Sequence, residues 1–121
     1  EGRVARKTGD DAEITIAGGI ALRHSGALHG DVGEQIVLMI RPEKVKVSAS
    51  EPFDMPNRVP ATIDVLSYLG PTVELEASSP VGTIKAMHFA THGPIRFSAG
   101  STVWLSWEVS SAVSLPVERS R

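Results

Sequence analysis

Gly33-Glu34-Gln35-Ile36-Val37-Leu38-Met39-Ile40 is the stretch on which the reading of this chain turns, because a loose copy follows it. The copy is Gly100-Ser101-Thr102-Val103-Trp104-Leu105-Ser106-Trp107, at an offset of 67 residues, 100 minus 33. Each copy opens on glycine, which reaches turn conformations closed to other residues, and runs into an apolar strand. Downstream, Val45 and Val47 fall over Val113 and Leu115 if one residue is inserted. Upstream, Gly2-Arg3-Val4 resembles Asn57-Arg58-Val59 as the entry to a first strand. We read two weakly similar β units, about residues 1–48 and 58–116, each too small to bury its own face. Residues 49–57, with Ser, Glu, two prolines and Asn, read as the linker.

Outward from these copies the pattern is strand after strand, with little helical periodicity. Residues 13–17 alternate apolar and polar, Gly18-Gly19 marks a turn, and residues 20–22 resume the alternation. Residues 35–41 and 44–48 form the next pair. Residues 62–66 and 72–76 flank Leu69-Gly70-Pro71, the pattern of a hairpin. A turn over 78–82, a strand over 82–88, a break at His92-Gly93-Pro94 and strands over 101–108 and 111–115 complete the chain. Nine or ten short strands at regular spacing predict an all-β barrel or sandwich.

Composition excludes several classes. The chain has 121 residues, 41% apolar and 21% charged, with no cysteine and a net charge of -2. It is long enough for one domain with its own core. Without cysteine it has no disulfide, thiolate metal site or cysteine nucleophile. Mixed charges and six aromatics do not make a nucleic-acid surface. The longest aliphatic run, residues 36–40, is far too short to span a membrane as a helix. The first residue is Glu1, without a leader pattern, so we expect a piece of a longer protein.

The strand faces mark candidate contacts. In residues 35–41, Ile36, Leu38 and Ile40 point one way and Val37 and Met39 the other. In residues 102–108, Val103, Leu105 and Trp107 share a face, and Trp104 lies opposite beside Ser106. A strand apolar on both faces is either covered twice or meets another surface. Val37, Met39 and Trp104 therefore pack between the halves or onto another chain, or a linker or C-terminal segment covers them.

Arg41-Pro42-Glu43 after an apolar strand, Tyr68-Leu69-Gly70, the strand ending in Trp107-Glu108 and the closing Ala112-Val113-Ser114-Leu115-Pro116 occur in a telling order. Together they resemble the transport-associated OB-like (TOBE) domain at the C-terminus of ATP-binding subunits of ABC importers. The resemblance is greatest to the polyamine (spermidine/putrescine) type and covers about residues 2–116. It implies an OB-like or MOP-like β-barrel, a single C-terminal regulatory domain over 1–121. It also implies attachment to a nucleotide-binding domain that carries ATP and Mg, pairing with a second copy of the subunit, and contact with permease subunits through the ATPase domain. The implied place is the cytoplasmic face of the membrane, and no cofactor belongs to this fragment. Arg41, Glu43 and Tyr68 are the motif residues expected at an interface; Arg41 and Glu43 can equally form a local ion pair. Molybdate-binding relatives carry Ser-Ala-Arg-Asn and a glycine four residues after the Asn. Here Pro56 precedes Asn57 and Ala61 stands at the glycine position, so oxyanion binding by backbone amides is not expected.

The residues hold no catalytic pattern. No Gly-Lys dipeptide occurs, so a phosphate loop is absent, and G-x-S-x-G does not occur either. His88 and His92 are four apart, but a strand precedes them and Gly93-Pro94 follows, so a solvated pair is expected rather than metal ligands. His24 and His29 read as ordinary surface histidines. A polyamine would want carboxylates and an aromatic, which Asp64, Glu74, Glu76 and Tyr68 could offer. A small-ligand barrel taking an oxyanion or a polyamine is therefore the alternative function.

Overall fold

The computed structural model describes residues 2–8, 11–16, 20–26, 28, 30–89 and 97–116, and they form ten strands. The strands are β1 (Gly2–Thr8), β2 (Asp11–Thr15), β3 (Ala21–Ser25), β4 (Gln35–Ile40), β5 (Lys46–Ser48), β6 (Asn57–Leu69), β7 (Thr72–Ser79), β8 (Gly82–Phe89), β9 (Thr102–Trp107) and β10 (Ala112–Pro116). Single 3-10 turns at Pro42–Lys44 and Val109–Ser111 lead into β5 and β10. Two antiparallel sheets result, ordered β10-β4-β1-β2-β3 and β5-β9-β6-β7-β8. Each curls so that its last strand nears the turn feeding its first. β8 packs on the Pro42–Lys44 turn and β5, and β3 packs on the Val109–Ser111 turn. The all-β, OB-like architecture read from the sequence is the one observed.

The two units are related strand by strand. Adding 67 to β4 gives β9, and adding 67 to the Pro42–Lys44 turn gives Val109–Ser111. Gly33 and Gly100 both have φ of 90°, the left-handed region that glycine enters without strain. The backbone bonds repeat as well. Val4 N–H donates to Glu34 O and Gly33 N–H to Val4 O; Ile63 N–H donates to Ser101 O and Gly100 N–H to Ile63 O. A register shift follows Val4 in β1 and Ile63 in β6, so the bulge is repeated too.

This register corrects two details of the sequence alignment. No residue is inserted downstream: Val45, buried, lies over Ala112, also buried. Upstream, Gly2 pairs with Ile36 as Ala61 pairs with Val103, so Gly2-Arg3-Val4 matches Ala61-Thr62-Ile63, not Asn57-Arg58-Val59. Other boundaries also differ. Asn57, placed in the linker by composition, begins β6. Residues 44–48, which alternate like a strand, give one only from Lys46, because Pro42–Lys44 winds into a turn. The Gly18-Gly19 turn and the His92-Gly93-Pro94 break lie outside the described residues.

The last strands cross over. β5, from the first unit, pairs with β9, and β10, from the second, pairs with β4. One apolar core runs through both sheets, from Val4, Ile14 and Ile36 to Ile63, Leu105 and Trp107. Each such fully buried side chain contributes on the order of 2 kcal/mol of transfer free energy.

Candidate functional site

Antiparallel pairing puts directly opposed residues on one face. Met39 opposes Val113 and Val37 opposes Leu115, so β4 and β10 together present four apolar side chains on the outer face of the first sheet. Met39 is 49% exposed and Val113 50%, whereas Val37 is half-buried. The matching positions of the second sheet are Ser106 opposite Lys46 and Trp104 opposite Ser48. The same backbone thus carries Ser, Lys and Ser at three of the four places, although Ser106, unlike Met39, is buried.

The sequence-predicted residues are therefore only partly brought together. Val37 and Met39 share the β4–β10 face. Trp104 holds the position equivalent to Val37, but on the other sheet, half-buried between Ser48 and Pro60. Met39 does not pack between the halves. Arg41 and Glu43 are exposed at the end of β4 and in the turn after it. They do not pair with each other; the ion pairs among the described residues are Lys7–Asp31, Lys46–Glu108, Arg58–Glu51 and Lys85–Glu76. Tyr68 is exposed near the tip of the β6–β7 hairpin, opposite Val73.

Glu43 lines a cleft of about 520 Å³ between the two 3-10 turns, with Lys44, Lys46, Glu108, Met87 and His88. Its charges are mixed, and Lys46 Nζ lies 3.5 Å from Glu108. His88 is half-buried on β8 and His92 lies outside the described residues. Among the described residues no three His, Asp or Glu side chains converge as metal ligands. His24, read as a surface residue, is buried on β3.

The carboxylates do not form a polyamine cradle. Val65 opposes Glu76 and Ser67 opposes Glu74, whereas Tyr68 alternates to the other face of β6. Ser78 Oγ donates to Asp64, and Lys85 Nζ lies 3.9 Å from Glu76. Lys85 is thus within ion-pair reach of one of the three carboxylates, Glu76.

Asn57, at the position of the Asn in the oxyanion motif, is engaged within the fold, and so is Arg58, the residue after it. Asn57 is fully buried; its Oδ1 accepts Arg23 N–H and its Nδ2 donates to Arg23 O, both at 2.7 Å. The amide thus stands in for a strand neighbour and ties β3 of one sheet to β6 of the other. Arg58 Nε bonds Glu51 at 2.8 Å, its Nη1 donates to Met55 O at 2.7 Å, and its guanidinium lies 5.6 Å from the Phe53 ring centroid. Sequence reasoning missed both roles. Asn favours loops in general, and nothing local marks a partner 34 residues away.

A family model described as "TOBE domain" matches residues 38–115. Among solved structures, the cytoplasmic molybdate-binding protein ModG, in a PEG-grown form with molybdate bound, superposes with a TM-score of 0.80. The match covers 96% of this chain and 93% of that one at 15% sequence identity, a likeness of fold. No helix among the described residues is long and apolar enough to cross a membrane.

Proposed function

Because this chain belongs to the TOBE domain family, we propose that it is a non-catalytic accessory and dimerisation domain of the ATP-binding subunit of an ABC importer, of the polyamine or a related type. In this reading ATP and Mg bind a nucleotide-binding domain outside these residues. The Arg41–Glu43 corner and Tyr68 face that domain, and the permease is reached only through it. The assembly lies on the cytoplasmic side of the membrane.

One observation carries the reading. Met39, Val113, Val37 and Leu115 stay apolar on an outer face whose counterparts are Ser106, Lys46, Trp104 and Ser48. Exposed apolar side chains grouped on one face favour association, and the second copy of the subunit is the partner we assign to it. The test is Met39→Ser with Val113→Lys, which installs the residues of the equivalent sheet. Stability should change by less than about 0.5 kcal/mol, since Met39 and Val113 are both about half exposed. Dimerisation of a subunit carrying the domain, followed by sedimentation, should fall by about tenfold or more, the worth of roughly 1.4 kcal/mol. An unchanged dimer would refute the assignment.

The likeness to a protein solved with molybdate bound supports a second reading, a small-ligand barrel for an oxyanion or a polyamine. Against it stand the internal bonds of Asn57 and the alanine, Ala61, at the motif's glycine position. Calorimetry with molybdate and with spermidine should give no binding heat at millimolar ligand. Saturable heat from either would put this reading first.

A further inference from the structure

The three-stranded meanders of the two units lie over each other, yet their outer faces differ. Ile14 stands between Val4 and Leu22 as Ala77 stands between Ile63 and Ile84. The cross-strand row Arg6–Glu13–Arg23 of β1, β2 and β3 therefore corresponds to Val65–Glu76–Lys85 of β6, β7 and β8. In the next row, Asp11 opposite Ser25 corresponds to Glu74 opposite Met87. The longer hairpin of the second unit adds a further row on the same face, Leu69–Thr72–Phe89. An apolar residue thus stands where the first sheet has Arg6, and another where it has Ser25.

The result is a face with apolar margins and an acidic middle. On β6, Val65 is 48% exposed and Leu69 53%; on β8, Met87 and Phe89 are half-buried. Between them, on β7, Glu74 is exposed and makes no ion pair among the described residues. Glu76 has the exposed Lys85 at 3.9 Å, and an ion pair of that kind contributes little. The core is supplied by the opposite face, where Leu75 and Ala86 are buried. Exposed apolar groups gathered beside unpaired charge mark a surface for a partner of opposite sign.

The dimensions select the partner's shape. Neighbouring strands lie about 4.8 Å apart, so the two margins are separated by roughly 10 Å, the width of an α-helix and about twice that of a single strand. Glu74 and Glu76 are spaced by roughly 6.6 Å along β7, close to the roughly 6 Å rise between helix positions i and i+4. We propose that the outer face of β6, β7 and β8 docks a basic amphipathic α-helix of a partner protein, laid along β7. Lysine or arginine at i and i+4 of that helix pairs with Glu74 and Glu76. Its flanking apolar residues cover Val65 and Leu69 on one side and Met87 and Phe89 on the other. Met39 and Val113 belong to the other sheet, so the inference is independent of the dimer reading.

The test uses two alanine-based synthetic helices of about 15 residues, with leucine on both flanks of the facing stripe. One carries lysine at i and i+4 and the other glutamate. Each is titrated by fluorescence anisotropy, at low salt, against the parent chain and against the double variant Glu74→Lys with Glu76→Lys. The lysine helix should bind the parent chain at least about tenfold more tightly than the glutamate helix, and the double variant should reverse the preference. Val65→Ser with Leu69→Ser should weaken the lysine helix by about threefold or more. Urea unfolding of each variant checks that the chain still folds. Equal affinity for the two helices, or a preference for lysine that survives the charge reversal, would overturn the proposal. Binding indifferent to Val65→Ser with Leu69→Ser would overturn it too, since charge alone would then account for the attraction. So would binding lost on Met39→Ser, which would put the helix on the other sheet.

Discussion

At the scale of single residues, Asn57 holds more of the architecture than its chemistry announces. Its side chain answers both the N–H and the C=O of Arg23, an edge residue of the other sheet, from a fully buried position. Asn57→Ala leaves those backbone groups without their partner and should cost about 3 kcal/mol, since a stranded buried polar group costs roughly 1–3 kcal/mol. Urea unfolding measures this, and a loss below about 1 kcal/mol would mean that water replaces the amide. Asn57→Asp should not rescue it, because the carboxylate supplies the acceptor but no donor and brings a charge into an apolar site. Neither Asn57 nor the buried His24 was legible in the sequence. Both are polar residue types whose burial depends on strands far away in the chain.

At the scale of elements, β4 and β9 were the most legible part. Their alternation and leading glycines survive in the structure with the 67-residue offset intact. The Arg41-Pro42-Glu43 corner was less so. Pro42 opens a 3-10 turn, and the alternation of Lys44-Val45-Lys46-Val47 hides it, because a one-turn helix has no period long enough to register. The candidate face on β4 was half legible. Val37 and Met39 were identified by alternation, but their partners Val113 and Leu115 come from a strand whose pairing is not local. The matched leucines give a test at this scale. Leu105→Ala, in a closed core, should cost about 3 kcal/mol, and Leu38→Ala, at a half-buried position, only about 1 kcal/mol, because the penalty grows with the cavity left behind. Equal losses in thermal or urea unfolding would contradict the difference in burial.

For the molecule as a whole, the repeat could be read from the sequence but the crossing of the last strands could not. Periodicity reports which side chains share a face, not which strand lies beside which. Because β5 completes the second sheet and β10 the first, neither unit has all its strands alone. Two separate polypeptides, residues 1–49 and 50–121, should each stay largely unfolded and refold on mixing into a particle with the circular dichroism of the intact chain. A first fragment that folds cooperatively alone would show that the crossing is dispensable. In the intact chain the 49–56 connection holds the two units together, pinned by Arg58 to Glu51 and Met55. Such a tether replaces bulk concentration with a local one in the millimolar range for short linkers. Two free units that swap strands would come apart on dilution; joined in one polypeptide, they hold the same contacts at any dilution, and the fold no longer depends on how much of the protein a cell makes.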